Sequence, residues 1–268
     1  MLRPLCREIV DLLHRLTPED WERPTIARAW RVRDVVAHLL DTALRRLSIH
    51  RDRSLPPPAA RPMTTERDLA TFVNDLNATW TRAAERLSPR VLTDLYARAG
   101  GDLADFVETL DLHAPAVFPV SWAGETRSVQ WLDIGREFTE VWHHGSQIRD
   151  AVGAGPFSDP RWLHAVLEIA MHALPHAYRD VPVRSDRSVS IRITGRAPGA
   201  WTLRGREGSW EIEEGQRPDA TATATMPDEV AWRVFFNALS PSEARSAVHV
   251  DGDADLARPL LHARSVIV

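Results

Sequence analysis

Glu140 and His144 stand four residues apart in a stretch of helical periodicity, so they occupy neighbouring positions on one helix face. A third candidate, His38, lies in a separate helical segment, Asp34-Val35-Val36-Ala37-His38-Leu39-Leu40. Two imidazoles and one carboxylate drawn from two helices make a three-ligand set for a divalent metal. Three protein ligands leave a coordination position for water, a thiol or a substrate, which is what catalysis at a metal requires. The same residues suit a plainer purpose. The chain has 11 histidines, Glu/His spacings of four arise by chance on ordinary helices, and a buried His bonded to a buried Glu is a common structural pair.

The helices must present these groups inward. At about 100° per residue, residues 131–152 gather Ile134, Phe138, Val141, Gly145, Ile148 and Val152 into one core-facing stripe. Asp133, Glu137, Glu140, His144 and Gln147 then fall along its flank, and His143 falls opposite, toward solvent. In the helix around His38, residues 32–51, the core stripe is Val32, Val36, Leu39, Ala43 and Leu47, with His38 on its margin beside Val35 and Thr42. Glu137 and Gln147 are candidates for orienting a ligand or thiol at the site, with ordinary helix contacts as the competing reading.

The remaining chain up to residue 182 reads mainly as helix. A first helix spans residues 2–16. Residues 54–62 form a proline-rich loop that no helix crosses. A helix at 65–87 carries Leu69, Phe72, Val73, Leu76 and Trp80 at core spacing, and Pro89 follows it. Residues 96–126 are ambiguous, with 102–110 readable as a short helix or a pair of strands. Gly153, Gly155 and Pro156 stop the helix bearing Glu140 and His144, and another helix covers 159–178.

After Pro182 the period changes to two. Residues 189–194 alternate as a half-buried strand should. Residues 201–204 and 210–213 follow as strands joined by a turn at Glu207-Gly208-Ser209, and 220–226 is a further strand. An amphipathic helix opens at Pro227-Asp228, a shorter one at Ser240, a last strand lies at 248–250 and a last helix at 253–262. The division expected is therefore 1–182, helical, and 183–268, α+β. Trp201, Trp210 and Trp232 are expected in the core. Arg204, Arg206, Arg233 and Arg245 could meet a carboxylate substrate but suit a solvated surface better.

Composition points to a soluble cytoplasmic protein. Net charge is −4 without long charge blocks, so neither nucleic acid nor membrane is an expected partner. No apolar run reaches transmembrane length, and Arg3, Arg7 and Glu8 interrupt any signal-like start. All 33 basic residues are arginine. The single cysteine, Cys6, excludes an internal disulfide. It sits among Leu2, Leu5, Ile9, Leu12 and Leu13, a setting for a small buried side chain rather than a nucleophile. Any thiol chemistry should then use a thiol brought by a cofactor.

Three segments carry a resemblance: Trp21-Glu22-Arg23-Pro24-Thr25, Trp30-Arg31-Val32-Arg33-Asp34-Val35-Val36-Ala37-His38-Leu39 and Glu140-Val141-Trp142-His143-His144. Together they resemble the mycothiol-dependent maleylpyruvate isomerase family, part of the DinB/YfiT-like superfamily. The resemblance implies an N-terminal DinB-like four-helix bundle, a small α+β domain of the sterol-carrier-protein type after it, and a zinc-type ion on His38, Glu140 and His144. The family often has an acidic residue three positions after the last histidine; this chain has Gln147, which bears on the substrate.

The resemblance further implies an isomerase or S-transferase in which the sulfur of mycothiol, or of another small thiol, attacks a small electrophile such as an unsaturated acid. A metal-dependent hydrolase of the same superfamily is the alternative. A non-enzymatic protein that binds a lipid or small molecule through its C-terminal domain is the third reading. Oligomeric state is open.

Overall fold

Helix starts in the N-terminal half are written in capping residues. After α1, Leu2–Leu13, the Thr17 hydroxyl accepts from the Asp20 N–H at the head of a short α2, Pro18–Trp21. At α3, Val32–Arg46, the Asp34 carboxylate accepts from the Arg31 backbone N–H at 2.9 Å. Thr65 caps α4, Glu66–Ala84, and Ser88 caps α5, Pro89–Glu108, whose proline takes the first helical position, where a missing N–H is harmless. A π-helical turn, Leu47–Arg51, continues α3. The computed structural model describes residues 1–27, 29–55 and 64–266; most of the expected proline-rich loop at 54–62 lies outside them.

The architecture is a helical N-terminal region followed by a five-stranded mixed sheet with helices. By compactness the residues group as Met1–Val117 with Glu140–Phe157, and Phe118–Thr139 with Ser158–Val268. In the first group, α3 packs on α4 and α5, and α1 packs on α5. Leu5, Ile9, Val35, Val36, Leu39, Leu40, Leu92, Tyr96 and Leu103 are buried there. Cys6 is buried as expected, with the Tyr96 hydroxyl 3.8 Å from its sulfur.

Helix α6, Gln130–Val152, carries Glu140 and His144. The expected single buried stripe is corrected here. From Phe138 to Ile148 every residue except Glu140 is buried, so this stretch is enclosed all round rather than amphipathic. His143, expected to face solvent, is only 6% exposed. Two further expectations change. Residues 102–110 fall at the end of the 20-residue helix α5 and just beyond it, and the Gly100-Gly101 pair weakens the helical signal of that segment. On α4, Leu69, Phe72, Val73 and Trp80 are half-buried and Leu76 is 39% exposed, so that stripe is a margin rather than a core.

In the second group, α7, Pro160–Met171, starts at Asp159, whose carboxylate accepts from the Arg161 N–H. A short α8, Leu174–Ala177, follows. The strands are β1, Ser188–Thr194; β2, Gly199–Arg206; β3, Ser209–Glu214; β4, Ala222–Pro227; and β5, His249–Gly252. Their order across the sheet is β3-β2-β1-β4-β5. β1 is central. It runs antiparallel to β2, with Val189 opposite Leu203, and parallel to β4, with Val189 opposite Ala222. The β2–β3 hairpin turns on Glu207 and Gly208, both at positive φ (47° and 88°), the backbone that matches a two-residue hairpin to strand twist. Helices α9, Asp228–Phe235, α10, Pro241–Ala247, and α11, Ala254–Ala257, complete this group. Trp201, Trp210 and Trp232 are buried, as expected. Arg204, Arg206 and Arg233 pair with Glu213, Glu211 and Glu229, and Arg245 is exposed.

Candidate functional site

The middle of α3 and the second half of α6 bring the expected residues together. His38 Nε2 lies 3.0 Å from Glu140 Oε1, and His144 Nε2 lies 3.2 Å from the same oxygen. The imidazole centroids are 4.6 Å apart and set edge to face at 73°. Among the described residues, one ligating atom from each of His38, Glu140 and His144 lies within 4.8 Å of the others. His38 and His144 are buried. The Glu140 side chain is 30% exposed, so the cluster opens on its carboxylate side.

Why these side chains converge is a matter of helix phase and close packing. The i, i+4 spacing aligns Glu140 with His144. Gly145, next to His144, lets α6 approach α1: a Cβ there would stand 2.6 Å from Phe157 Cζ and 2.8 Å from Ile9 Cδ1. α3 is fixed by its Asp34 cap, and also by the Trp80 indole N–H, which donates to the Ala37 carbonyl at 2.8 Å, one residue before His38.

Gln147 links the site to His143. Its Oε1 lies 2.8 Å from His144 Nδ1 and its Nε2 lies 3.0 Å from His143 Nε2. An amide oxygen only accepts and an amide nitrogen only donates. His144 therefore carries a proton on Nδ1 and points Nε2 at the cluster, while His143 accepts through Nε2 as a neutral ring. Glu137, the other orienting candidate, is buried one turn earlier on α6.

The electrostatics follow from burial. Burial lowers His38 below the usual histidine range, against the hydrogen bond to Glu140 that raises it. Burial, with the charge of His144 adding to it, pushes His143 down to about 3. For Glu140 burial acts upward, but the charge and hydrogen bond of His144 and the hydrogen bond of His38 outweigh it and hold the carboxyl well below its ordinary value. The result is an ionised Glu140 carboxylate beside a His38 ring that favours its neutral form, the protonation states in which these two groups donate to a cation.

The structure adds Trp30, which the sequence pattern does not assign to this site. Its ring centroid lies 4.8 Å from His38 and 5.9 Å from His144. The signal in the sequence is only its place just before the α3 cap, which does not give the direction of a loop side chain.

The family model for the mycothiol maleylpyruvate isomerase N-terminal domain matches residues 2–149. A crystal structure of a histidine-to-alanine mutant of mycothiol-dependent maleylpyruvate isomerase superposes with a TM-score of 0.53 at 11% identity, covering 94% of this chain and 91% of that one. At that identity the likeness is one of fold. The solution structure of sterol carrier protein domain 2 of Helicoverpa armigera aligns with a TM-score of 0.24 at 20% identity, over 38% of this chain and 80% of that one. A search of curated proteins finds no match. Because the matched residues make up more than half of the sequence and contain His38, Glu140 and His144, this chain belongs to the mycothiol-dependent maleylpyruvate isomerase family.

Proposed function

We propose that the chain is a metal- and thiol-dependent isomerase or S-transferase acting on a small electrophile, with an unsaturated acid as the simplest class. The observation that carries this reading is the convergence of His38 Nε2 and His144 Nε2 on one oxygen of Glu140. Ligands about 2.0–2.2 Å from one ion stand roughly 3–3.5 Å apart, and the separations of 3.0 and 3.2 Å fall in that range. The donor set also fits: two nitrogens and a carboxylate suit a zinc-type ion. His38, Glu140 and His144 would hold it. When bound, such a cation stabilises a thiol as its thiolate and so makes a good nucleophile available at neutral pH.

The chain's own residues support the rest. Gln147 accepts the Nδ1 proton of His144 and so keeps Nε2 turned to the cluster. Burial keeps His38 neutral. Cys6 is buried, which supports a small-molecule thiol, mycothiol in the family's naming, as the sulfur source. The four-helix-bundle description of the helical region, the sterol-carrier-protein type of the sheet domain and the division at 182/183 belong to the same proposal. No helix among the described residues is long and apolar enough to cross a membrane.

Purified protein assayed for metal and for turnover of unsaturated acids with and without added thiol tests the reading. The expected result is about one zinc-type ion per chain and turnover only with thiol present. Metal-dependent turnover in thiol-free buffer would replace it with a hydrolase, and bound lipid without metal would replace it with a binding protein.

A further inference from the structure

Trp30 is placed over both imidazoles by a clamped loop. Pro24 and Arg31 form an antiparallel bridge. Between them the Thr25 backbone N–H and hydroxyl both donate to the Trp30 carbonyl, at 3.0 and 2.8 Å, and the Trp30 N–H donates to the Ala27 carbonyl at 2.7 Å. Arg31 is tied in turn to Asp34 of α3. The indole is therefore held on the helix that carries His38. Its plane is tilted 44° to the His38 ring and 36° to the His144 ring, so one apolar surface flanks the two nitrogen donors. Glu140 is the more open member of the cluster. The cluster thus combines an open carboxylate with an aromatic ring set against both imidazoles.

An indole face offers nothing to the hydrogen bonds of a small hydrated ligand. It makes favourable contacts with polarisable sulfur. We propose that Trp30 is a specificity-determining residue that selects a low-molecular-weight thiol over water or a small hard anion at the His38–Glu140–His144 cluster. The inference rests on the metal reading above and adds the group that chooses the incoming ligand.

The test uses cobalt(II) as the metal, N-acetylcysteine as the thiol and azide as the small anion. Wild type, Trp30→Phe, Trp30→Leu and Trp30→Ala are loaded, their cobalt content is measured, and the sulfur-to-cobalt charge-transfer band is followed on titration. All four are expected to hold the same amount of cobalt. Thiol affinity should fall about threefold to tenfold in the Leu and Ala variants, stay near wild type in Trp30→Phe, and azide affinity should not fall with it. Equal thiol affinity in wild type and Trp30→Leu would overturn the proposal, as would a parallel loss for thiol and azide, or loss of cobalt from every substituted variant. Should Trp30→Ala fail to fold, the Leu and Phe variants decide the matter. A wild type that takes up no cobalt defeats the metal reading itself, a result separate from any of these.

Discussion

Gln147 Oε1 sits 2.8 Å from Nδ1 of His144, and through the other end of the same amide reaches His143. An imidazole held in this way has its free nitrogen chosen for it. Removing the acceptor by Gln147→Leu should weaken zinc binding about 10- to 100-fold with the helical circular dichroism unchanged. Gln147→Glu, which keeps an acceptor at that position, should bind zinc at least as well as wild type. Competition with a chromophoric chelator measures both. Undiminished affinity in the Leu variant would show that the amide does not orient the ring.

His38→Ala and His144→Ala should each abolish stoichiometric metal, because neither remaining pair makes a three-ligand set. His143→Ala should keep most of it, since the hydrogen bond of His143 toward the cluster runs through Gln147. Elemental analysis of the three purified variants distinguishes them. Equal losses at residues 143 and 144 would contradict the assigned donor directions.

Buried neutral histidines make the metal-free protein sensitive to acid. Burial, with the charge of His144, holds His143 at about 3 in the fold, whereas an unfolded histidine takes up its proton near 6.5. The folded state refuses a proton that the unfolded chain accepts, so this contribution to stability is complete above about 6.5 and is lost as pH falls from there toward 3. Burial lowers His38 and His172 in the same direction. The urea midpoint of metal-free protein should therefore drop between pH 7 and pH 5, and His143→Gln should lessen the slope. A flat profile over that interval would count against the burial argument.

Two glycines should respond oppositely to alanine. At Gly145 the added methyl meets Phe157 and Ile9 at 2.6 and 2.8 Å, and overpacking of this kind costs about 1–3 kcal/mol. Gly145→Ala should lower the thermal midpoint and, by shifting α6, weaken metal binding. At Gly101 in α5 an added methyl would meet nothing within 4 Å, so Gly101→Ala should stabilise by about 0.5–1 kcal/mol through a stiffer helix. Thermal unfolding of both variants checks the contrast; a stabilising Gly145→Ala would mean that α1 and α6 are not in close contact.

What the sequence makes legible is set by local rules. The i, i+4 pair Glu140 and His144 and the change to two-residue period before β1 depend on neighbours in the chain, and the triad expected from them converges in the fold. His143 falls on the wrong side of a stripe argument because that argument assumes one wet face, while the middle of α6 is buried all round. The length of α5 is hidden by Gly100-Gly101, although Ser88-Pro89 and the spacing of Leu92, Tyr96, Ala99 and Leu103 mark it. Trp30 is not legible at all, because a loop carries no period from which to infer a direction.

The sheet order has a consequence for synthesis. β2 and β3 can zip up as soon as Glu207 and Gly208 have turned, whereas β1 gains its parallel neighbour only when Ala222–Pro227 emerges. Until then one whole side of the central strand is an unsatisfied edge. A chain that has emerged past Glu214 but not yet to Pro227 would hold out a three-stranded sheet with the apolar β1 as its open edge, ready to pair with whatever passes, so the interval just before β4 is where this protein is most exposed to aggregation and most in need of a chaperone.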